Sequence, residues 1–309
     1  MKEQKSILII GSLNIDFVVH VDEMPVVGET LMCKNMELIP GGKGANQAYA
    51  IGKLGGRADM LGAVGNDSYA DILLNSLKEA GVSVSNVMKR DTANTGLAWI
   101  TVNCSGDNNI IVVPGANHTL SKEDINNHID EINNHDIIIL QMEIPLDVVV
   151  YAAKTAKEAG KTVILDPAPA PRDFPVELYQ YIDIIKPNET ELSILTDMED
   201  AEQNLGAAAD KLKEYGVPCV IVTRGSKGVF VNDTEEESYF IPGVTVKAVD
   251  STAAGDTFTA ALAVCIANGK SIAEAVRYAN VAASIAVTKK GAQSSIPTYI
   301  EVEKIIIRK

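Results

Sequence analysis

The stretch Asp136-Ile-Ile-Ile-Leu-Gln-Met-Glu-Ile-Pro-Leu-Asp-Val-Val-Val-Tyr-Ala-Ala-Lys-Thr-Ala-Lys-Glu-Ala-Gly-Lys-Thr-Val-Ile-Leu-Asp166 holds a complete strand–helix–strand unit. A short apolar run at 136–140 reads as a buried strand, 146–159 spaces its apolar residues as a helix, and 162–166 returns as a second strand. Units of this kind build a parallel sheet covered by helices. The same alternation extends outward. Upstream lie a first strand at 6–11, a glycine-rich turn feeding a helix at 41–55, a strand at 57–65, a helix capped by Asp67 and running through Leu77, and a helix starting at Ser121. Downstream come a strand at 182–188, a helix running to about Thr196, a helix ending near Tyr215, a strand at 219–225, a hairpin at 229–242, and helices at 253–268, 271–289 and 298–308. The fold class is α/β, a central and mostly parallel sheet flanked by helices, and no linker divides residues 1–309.

Between the first strand and the first helix stand about thirty residues, where a βα loop usually takes about two to six. Strand-like runs at 17–21 and 29–38 are separated there by a Pro25–Gly28 turn, and a second hairpin pairs 96–103 with 109–115. Together these excursions predict a small inserted β-sheet lid, from about 13–40 and 96–115. Its apolar face needs a ligand cleft or a partner subunit to cover it.

Of the 309 residues 46% are hydrophobic and 22% charged, which excludes a mainly disordered chain. Lys plus Arg is 27 against 41 for Asp plus Glu, a net charge of −14 that argues against nucleic acid as a partner. An acidic chain can still bind small anions through backbone N–H groups and bound cations. The four cysteines are far apart with no CxxC, so neither a zinc site nor a disulfide framework is expected. The apolar run Ile7–Gly11 is too short for the core of a signal peptide, and 257–267 is too short to span a bilayer. A cytoplasmic protein is expected. Gly160-Lys-Thr and Gly269-Lys-Ser lack the upstream glycine of a Walker A loop, and HExxH and GxSxG are absent. The four histidines read as surface or loop residues.

The chemistry concentrates at Val249-Asp-Ser-Thr-Ala-Ala-Gly-Asp-Thr-Phe258, a polar turn of small residues opening into an apolar helix. The free N–H groups of Ala253, Ala254 and Gly255 and the helix dipole would face an anion there. Asp256 beside them suits a general base that takes the proton of an attacking hydroxyl. Read alone, Asp256 fits a first-turn acid equally well.

Seven segments in order carry a wider likeness: Gly11-Ser-Leu-Asn14-Ile-Asp16, Pro40-Gly41-Gly42-Lys43-Gly44-Ala45-Asn46-Gln47, Asp166-Pro-Ala-Pro-Ala170, Lys186-Pro-Asn188-Glu-Thr-Glu191, Thr223-Arg-Gly225-Ser-Lys-Gly228, the stretch at 250–258, and Val287-Thr-Lys-Lys-Gly291-Ala-Gln-Ser-Ser295. This pattern resembles the ribokinase branch of the PfkB carbohydrate kinase family over residues 11 to about 297. The resemblance implies ATP-dependent phosphorylation of D-ribose at O5, with Asp256 as base and Ala253, Ala254 and Gly255 as anion hole. It assigns the sugar to Asn14, Asp16, Gly42, Lys43, Asn46 and Glu143. It assigns ATP to Asn188, Thr223, Gly225, Ser226, Lys227, Gly228, Gly255 and Asn280, and implies Mg²⁺ organised by Glu191 through water. It implies a K⁺ site at Asp250, Thr252, Ala286, Lys289, Gly291 and Ser295, largely through carbonyl oxygens, and a homodimer made through the lid. From the residues themselves, Asn14 and Asp16 fit a turn after a strand, Glu143 a strand-end charge, and Asn188 with Glu191 a helix-capping pair. Rival readings are a kinase for 2-deoxyribose, fructose or a nucleoside, and a sensor without catalysis.

Overall fold

The computed structural model describes residues 4–33, 35–105, 107–234 and 236–307. Gly106, in the lid turn, and Arg308, at the end of the last predicted helix, lie outside them. The strands are β1 Ser6–Ile10, β2 Asn14–His20, β3 Met36–Gly41, β4 Arg57–Gly65, β5 Ser83–Arg90, β6 Gly96–Val102, β7 Asn108–Val113, β8 Ile137–Leu140, β9 Thr162–Leu165, β10 Ile184–Ile185, β11 Cys219–Thr223, β12 Val229–Asp233 and β13 Tyr239–Ile241. The helices are α1 Lys43–Lys53, α2 Ser68–Glu79, α3 Lys122–Asn127, α4 Ile129–Asn134, α5 Leu146–Glu158, α6 Glu189–Thr196, α7 Leu205–Glu214, α8 Ala254–Ala267, α9 Ile272–Ala286 and α10 Tyr299–Ile306.

Nine strands form one sheet in the order β13-β12-β11-β10-β9-β8-β1-β4-β5, parallel except for the β12–β13 hairpin. Alternation along β1 sends Ile7 and Ile9 to a core shared with α1, α2, α8, α9 and α10, and Leu8 and Ile10 to one shared with α3 to α7. From β1 the chain runs outward through β4 and β5, then re-enters at β8 and proceeds the other way. The carboxyl ends of β1 and β8, where Ile10 pairs with Leu140, therefore flank the topological switch point, the place where doubly wound sheets bind ligands.

The two excursions form one separate sheet, β3-β2-β6-β7. Its outer pairs are antiparallel, while β2 and β6 run parallel from the Asn14–Gly96 pair. Phe17 stacks on Trp99 on this sheet. Met36, Leu38, Trp99 and Ile110 to Val113 are exposed on it.

Several expectations are corrected. β3 begins at Met36 rather than at 29, and Glu29 to Cys33 are exposed coil. β10 keeps only Ile184 and Ile185, because Pro187 has no N–H to give a ladder and Asn188 already caps α6. The helix from Ser121 divides at His128 into α3 and α4. Edge strand β5 was not foreseen. His135 is buried rather than on the surface: its Nδ1 lies 2.6 Å from the Glu131 carbonyl and its Nε2 3.0 Å from Asp59 Oδ2.

Candidate active site

The loop between β3 and α1 folds tightly over the end of β1. Gly42 has φ +87°, and a Cβ there would lie 2.7 Å from the Asn14 nitrogen, so only glycine fits. This close approach sets α1 against the strand end. Ser12 Oγ donates to Glu143 Oε2 at 2.5 Å, and the Lys43 N–H donates to the same oxygen at 3.0 Å. Glu143 thus ties the segments leaving β1 and β8 to the start of α1.

Asn14 and Asp16 alternate with Ile15 on β2, in a strand rather than in the turn their residue types fit. Asn117, not foreseen as important, fixes the first of them. It gives Nδ2 to Asn14 Oδ1 at 2.8 Å and takes the Leu13 N–H on Oδ1 at 2.9 Å. Burial, with the neighbouring charges of Glu143 and Asp256, pushes the Asp16 carboxyl up to about 7.

Asp256 stands in the first turn of α8, buried, 6% exposed. Its Oδ2 accepts from Asn46 Nδ2 at 3.1 Å and its Oδ1 from Gln47 Nε2 at 3.0 Å, so the sugar loop predicted from sequence grips the predicted base. Burial raises its proton affinity and outweighs the pull of Lys43, while Asp166 adds to the rise. A carboxylate so shifted is a better proton acceptor. Burial alone would neutralise Lys43, but Asp256, Asp166, Glu143 and Glu191 together hold it as an ammonium. Asn46 Oδ1 is buried without a hydrogen-bond partner.

At the start of α8, Ala253 takes φ +58°, a strained conformation for a residue with a Cβ. The expectation of three free N–H groups narrows here, because the Ala254 N–H donates to the Ser251 carbonyl at 3.2 Å to close this turn. The N–H groups of Ala253 and Gly255 have no partner among the described residues.

Sequence reasoning missed a buried polar chain behind Asp256. Gln141 Nε2 donates to Gln47 Oε1 at 2.7 Å, Gln47 Nε2 also reaches Asp166 Oδ2 at 2.9 Å, and Thr259 Oγ1 reaches the same oxygen at 3.2 Å. Lys186 Nζ pairs with Asp166 Oδ2 at 3.1 Å, and both side chains are buried. Gln141, Asp166 and Lys186 each directly follow a parallel strand, and that position was the available signal.

The predicted nucleotide residues gather at the carboxyl end of β11. Asn188 and Thr223 form an isolated bridge that brings the two segments together. Asn188 and Glu191 make a reciprocal capping box, Oδ1 to N–H and N–H to Oε2, each 2.8 Å. Thr223 leads into the exposed turn of Gly225, Ser226 and Lys227, which Gly228 closes at φ +99°. Asn280 Nδ2 donates to the Pro242 carbonyl at 2.8 Å, beside that turn. The Lys227 ammonium turns away to Glu202 and Glu189. Burial and Asp166 raise the Glu191 carboxyl above its usual range.

The predicted cation ligands lie on two segments that meet. The Val249 N–H donates to the Val287 carbonyl at 2.7 Å. Asp250 accepts from the Thr252 N–H and Oγ1 at 2.9 and 2.6 Å and from the Gly291 N–H at 2.9 Å. Burial alone would raise the Asp250 carboxyl, yet these donors hold it below its ordinary value. The Lys289 N–H closes on the Ala286 carbonyl while its ammonium pairs with Glu301, and Ser295 Oγ donates to Ala292 O.

A buried carboxylate with raised proton affinity, placed between a polar pocket at the switch point and a helix start with unpaired N–H groups, suits the movement of an anionic group onto a small-molecule hydroxyl. The model of the pfkB family carbohydrate kinases matches residues 4–299, and the chain belongs to that family. It is 41% identical over 299 residues to a ribokinase of Haemophilus influenzae, covering 96% of this chain and 97% of that one. To a deoxyribokinase of Salmonella typhimurium it is 37% identical over 293 residues, covering 94% and 95%. The structure of Arabidopsis thaliana ribokinase complexed with ribose and ATP superposes with a TM-score of 0.90 at 36% identity, covering 98% and 99%.

Proposed function

We propose that the protein transfers the γ-phosphoryl group of ATP to O5 of D-ribose, giving ribose 5-phosphate and ADP. One observation carries the mechanism: Asp256 is held by Asn46 and Gln47 of the sugar loop while it stands in the first turn of α8. O5 attacks Pγ in line with the bond that breaks. Its proton passes to Asp256, its electron pair forms the bond to Pγ, and the bond from Pγ to the bridging oxygen breaks with its pair left on ADP. Asn14, Asp16, Glu143 and the unpaired Asn46 Oδ1 receive sugar hydroxyls, each of which is both donor and acceptor. The N–H groups of Ala253 and Gly255 receive phosphoryl oxygens.

The residues fit Mg²⁺: Asp166 Oδ1 is buried without a partner, and Glu191 is charge-coupled to it. Those two carboxylates would hold the ion through its waters, and bound Mg²⁺ would neutralise charge on the phosphates. The segments that meet at Asp250 would hold K⁺ at Asp250, Thr252, Ala286, Lys289, Gly291 and Ser295, largely through carbonyl oxygens. Exchange of K⁺ for Na⁺ is expected to lower the rate. The four-stranded sheet closes over the sugar as a lid, and its exposed Trp99 and Ile110 to Val113 pack on the lid of a second copy to make a homodimer. All four cysteines are free, and no helix among the described residues is long and apolar enough to cross a membrane; both fit a cytoplasmic enzyme.

The likeness to a deoxyribokinase keeps 2-deoxyribose as a second acceptor. A coupled ADP-release assay across ribose, 2-deoxyribose, fructose, adenosine and no sugar decides between them. Turnover with ribose well above the rest supports the proposal. Preference for another acceptor moves the specificity and keeps the chemistry, and no sugar-dependent release would leave a sensor.

A further inference from the structure

The space in front of Gly255 has an unusual boundary. A Cβ added there would meet one protein atom within 4 Å among the described residues, Lys186 Nζ at 3.4 Å. The Lys186 ammonium therefore stands beside Gly255 at the start of α8, on the side where a side chain would project. Lys186 is 4% exposed, and its carboxylate contact is Asp166 at 3.1 Å, which leaves N–H donors for another acceptor. Asp166 is itself fixed by Gln47 and Thr259, so the ammonium hangs from a rigid anchor rather than from a flexible surface stem. A buried ion pair adds little net stability, so packing alone is a weak reason for a lysine here. Asp16, Glu143, Asp166, Glu191 and Asp256 surround the cleft with Lys43 and Lys186 as the near cations. An incoming phosphoryl group must overcome that excess of carboxylates, and Lys186 is the cation beside the helix start.

We infer that Lys186 is a further catalytic residue: its ammonium, beside Gly255 at the start of α8, contacts the phosphoryl group in transfer, and Asp166 is the positioning residue that holds it. The inference rests on the phosphotransfer reading above. Lys186 neither gains nor loses a proton; it offsets charge on the equatorial oxygens while O5 gains Pγ and ADP departs with the bridging electron pair.

The test uses Lys186→Met and Lys186→Arg, with thermal denaturation of each to establish that it folds. Loss of one such donor typically lowers kcat by about 10²–10³-fold. That loss is expected in Lys186→Met, with ribose Kd within about twofold of the parent and partial recovery in Lys186→Arg. A structural role predicts instead a loss in Lys186→Met that tracks its loss of stability and of ribose binding, or a near-parental rate in a variant that folds, and either result overturns the inference. Calorimetry gives a readout without turnover. Lys186→Met should weaken β,γ-methylene-ATP by about fivefold or more relative to ADP, since only the former carries a γ-phosphoryl group. Equal effects on both nucleotides would also overturn it. Because that comparison needs no acceptor, it judges Lys186 even if ribose proves to be the wrong sugar.

Discussion

At the proposed sugar end of the cleft, Asn14, Asn46, Gln47 and Asp256 are buried side chains bonded to one another or to their neighbours. At the proposed nucleotide end, Gly225, Ser226 and Lys227 are exposed, and what they present is a turn of backbone. The contrast follows from the ligands. A sugar differs from its rivals by single hydroxyls, and a site of buried polar groups rejects the analogue that leaves one of them unpaired. Phosphates look alike in every nucleotide, so backbone N–H groups and a helix start suffice. Substitutions at the sugar end should therefore be costly and specific, and those at the nucleotide end mild.

Within this comparison the largest effect is expected at Asn46, whose Nδ2 donates to Asp256. Asn46→Ala should raise the KM for ribose and lower kcat together, for a loss in kcat/KM of about 10²-fold or more, read by steady-state assay. Next comes Gly42→Ala, which forces a Cβ into the Asn14 backbone at positive φ; thermal denaturation should show more than about 1 kcal/mol of lost stability. Asp16 gives a pH-dependent contrast. Its carboxyl titrates near 7 when folded, against an ordinary value of 3.8, so between those values the folded state holds a proton that the unfolded chain does not. Its favourable contribution is present at low pH and lost as pH rises through 7. Asp16→Asn should thus raise the Tm of the sugar-free protein by about 2 °C or more at pH 8, with no gain near pH 4, while weakening ribose binding at both. The smallest effect is expected at Lys227, whose ammonium is already engaged by Glu202 and Glu189; Lys227→Ala should leave the KM for ATP within about threefold. A tenfold loss there would break the contrast between the two ends.

Much of the fold was legible because parallel strands buried on both faces read as continuous apolar runs, as at β1, β8, β9 and β11. Edge strand β5, Ser-Val-Ser-Asn-Val-Met-Lys-Arg, escaped notice because one neighbour and partial exposure leave it without such a run. Asp256 and the small residues before it were legible because a helix start is a local object. The chain from Gln141 through Gln47 to Asp166 and Lys186 was not, since its members come from four separate segments and meet only when β8, β9 and β10 align. His135 misled for a similar reason: nothing near it in sequence announces Asp59 on β4.

The central claim is that Asp256 moves a proton rather than merely starting a helix. The direct measurement is kcat of Asp256→Asn beside its calorimetric Kd for ribose. A fall in kcat of about 10²-fold or more with ribose binding kept within about threefold is the predicted result. A near-normal rate, or a loss confined to binding, would contradict it.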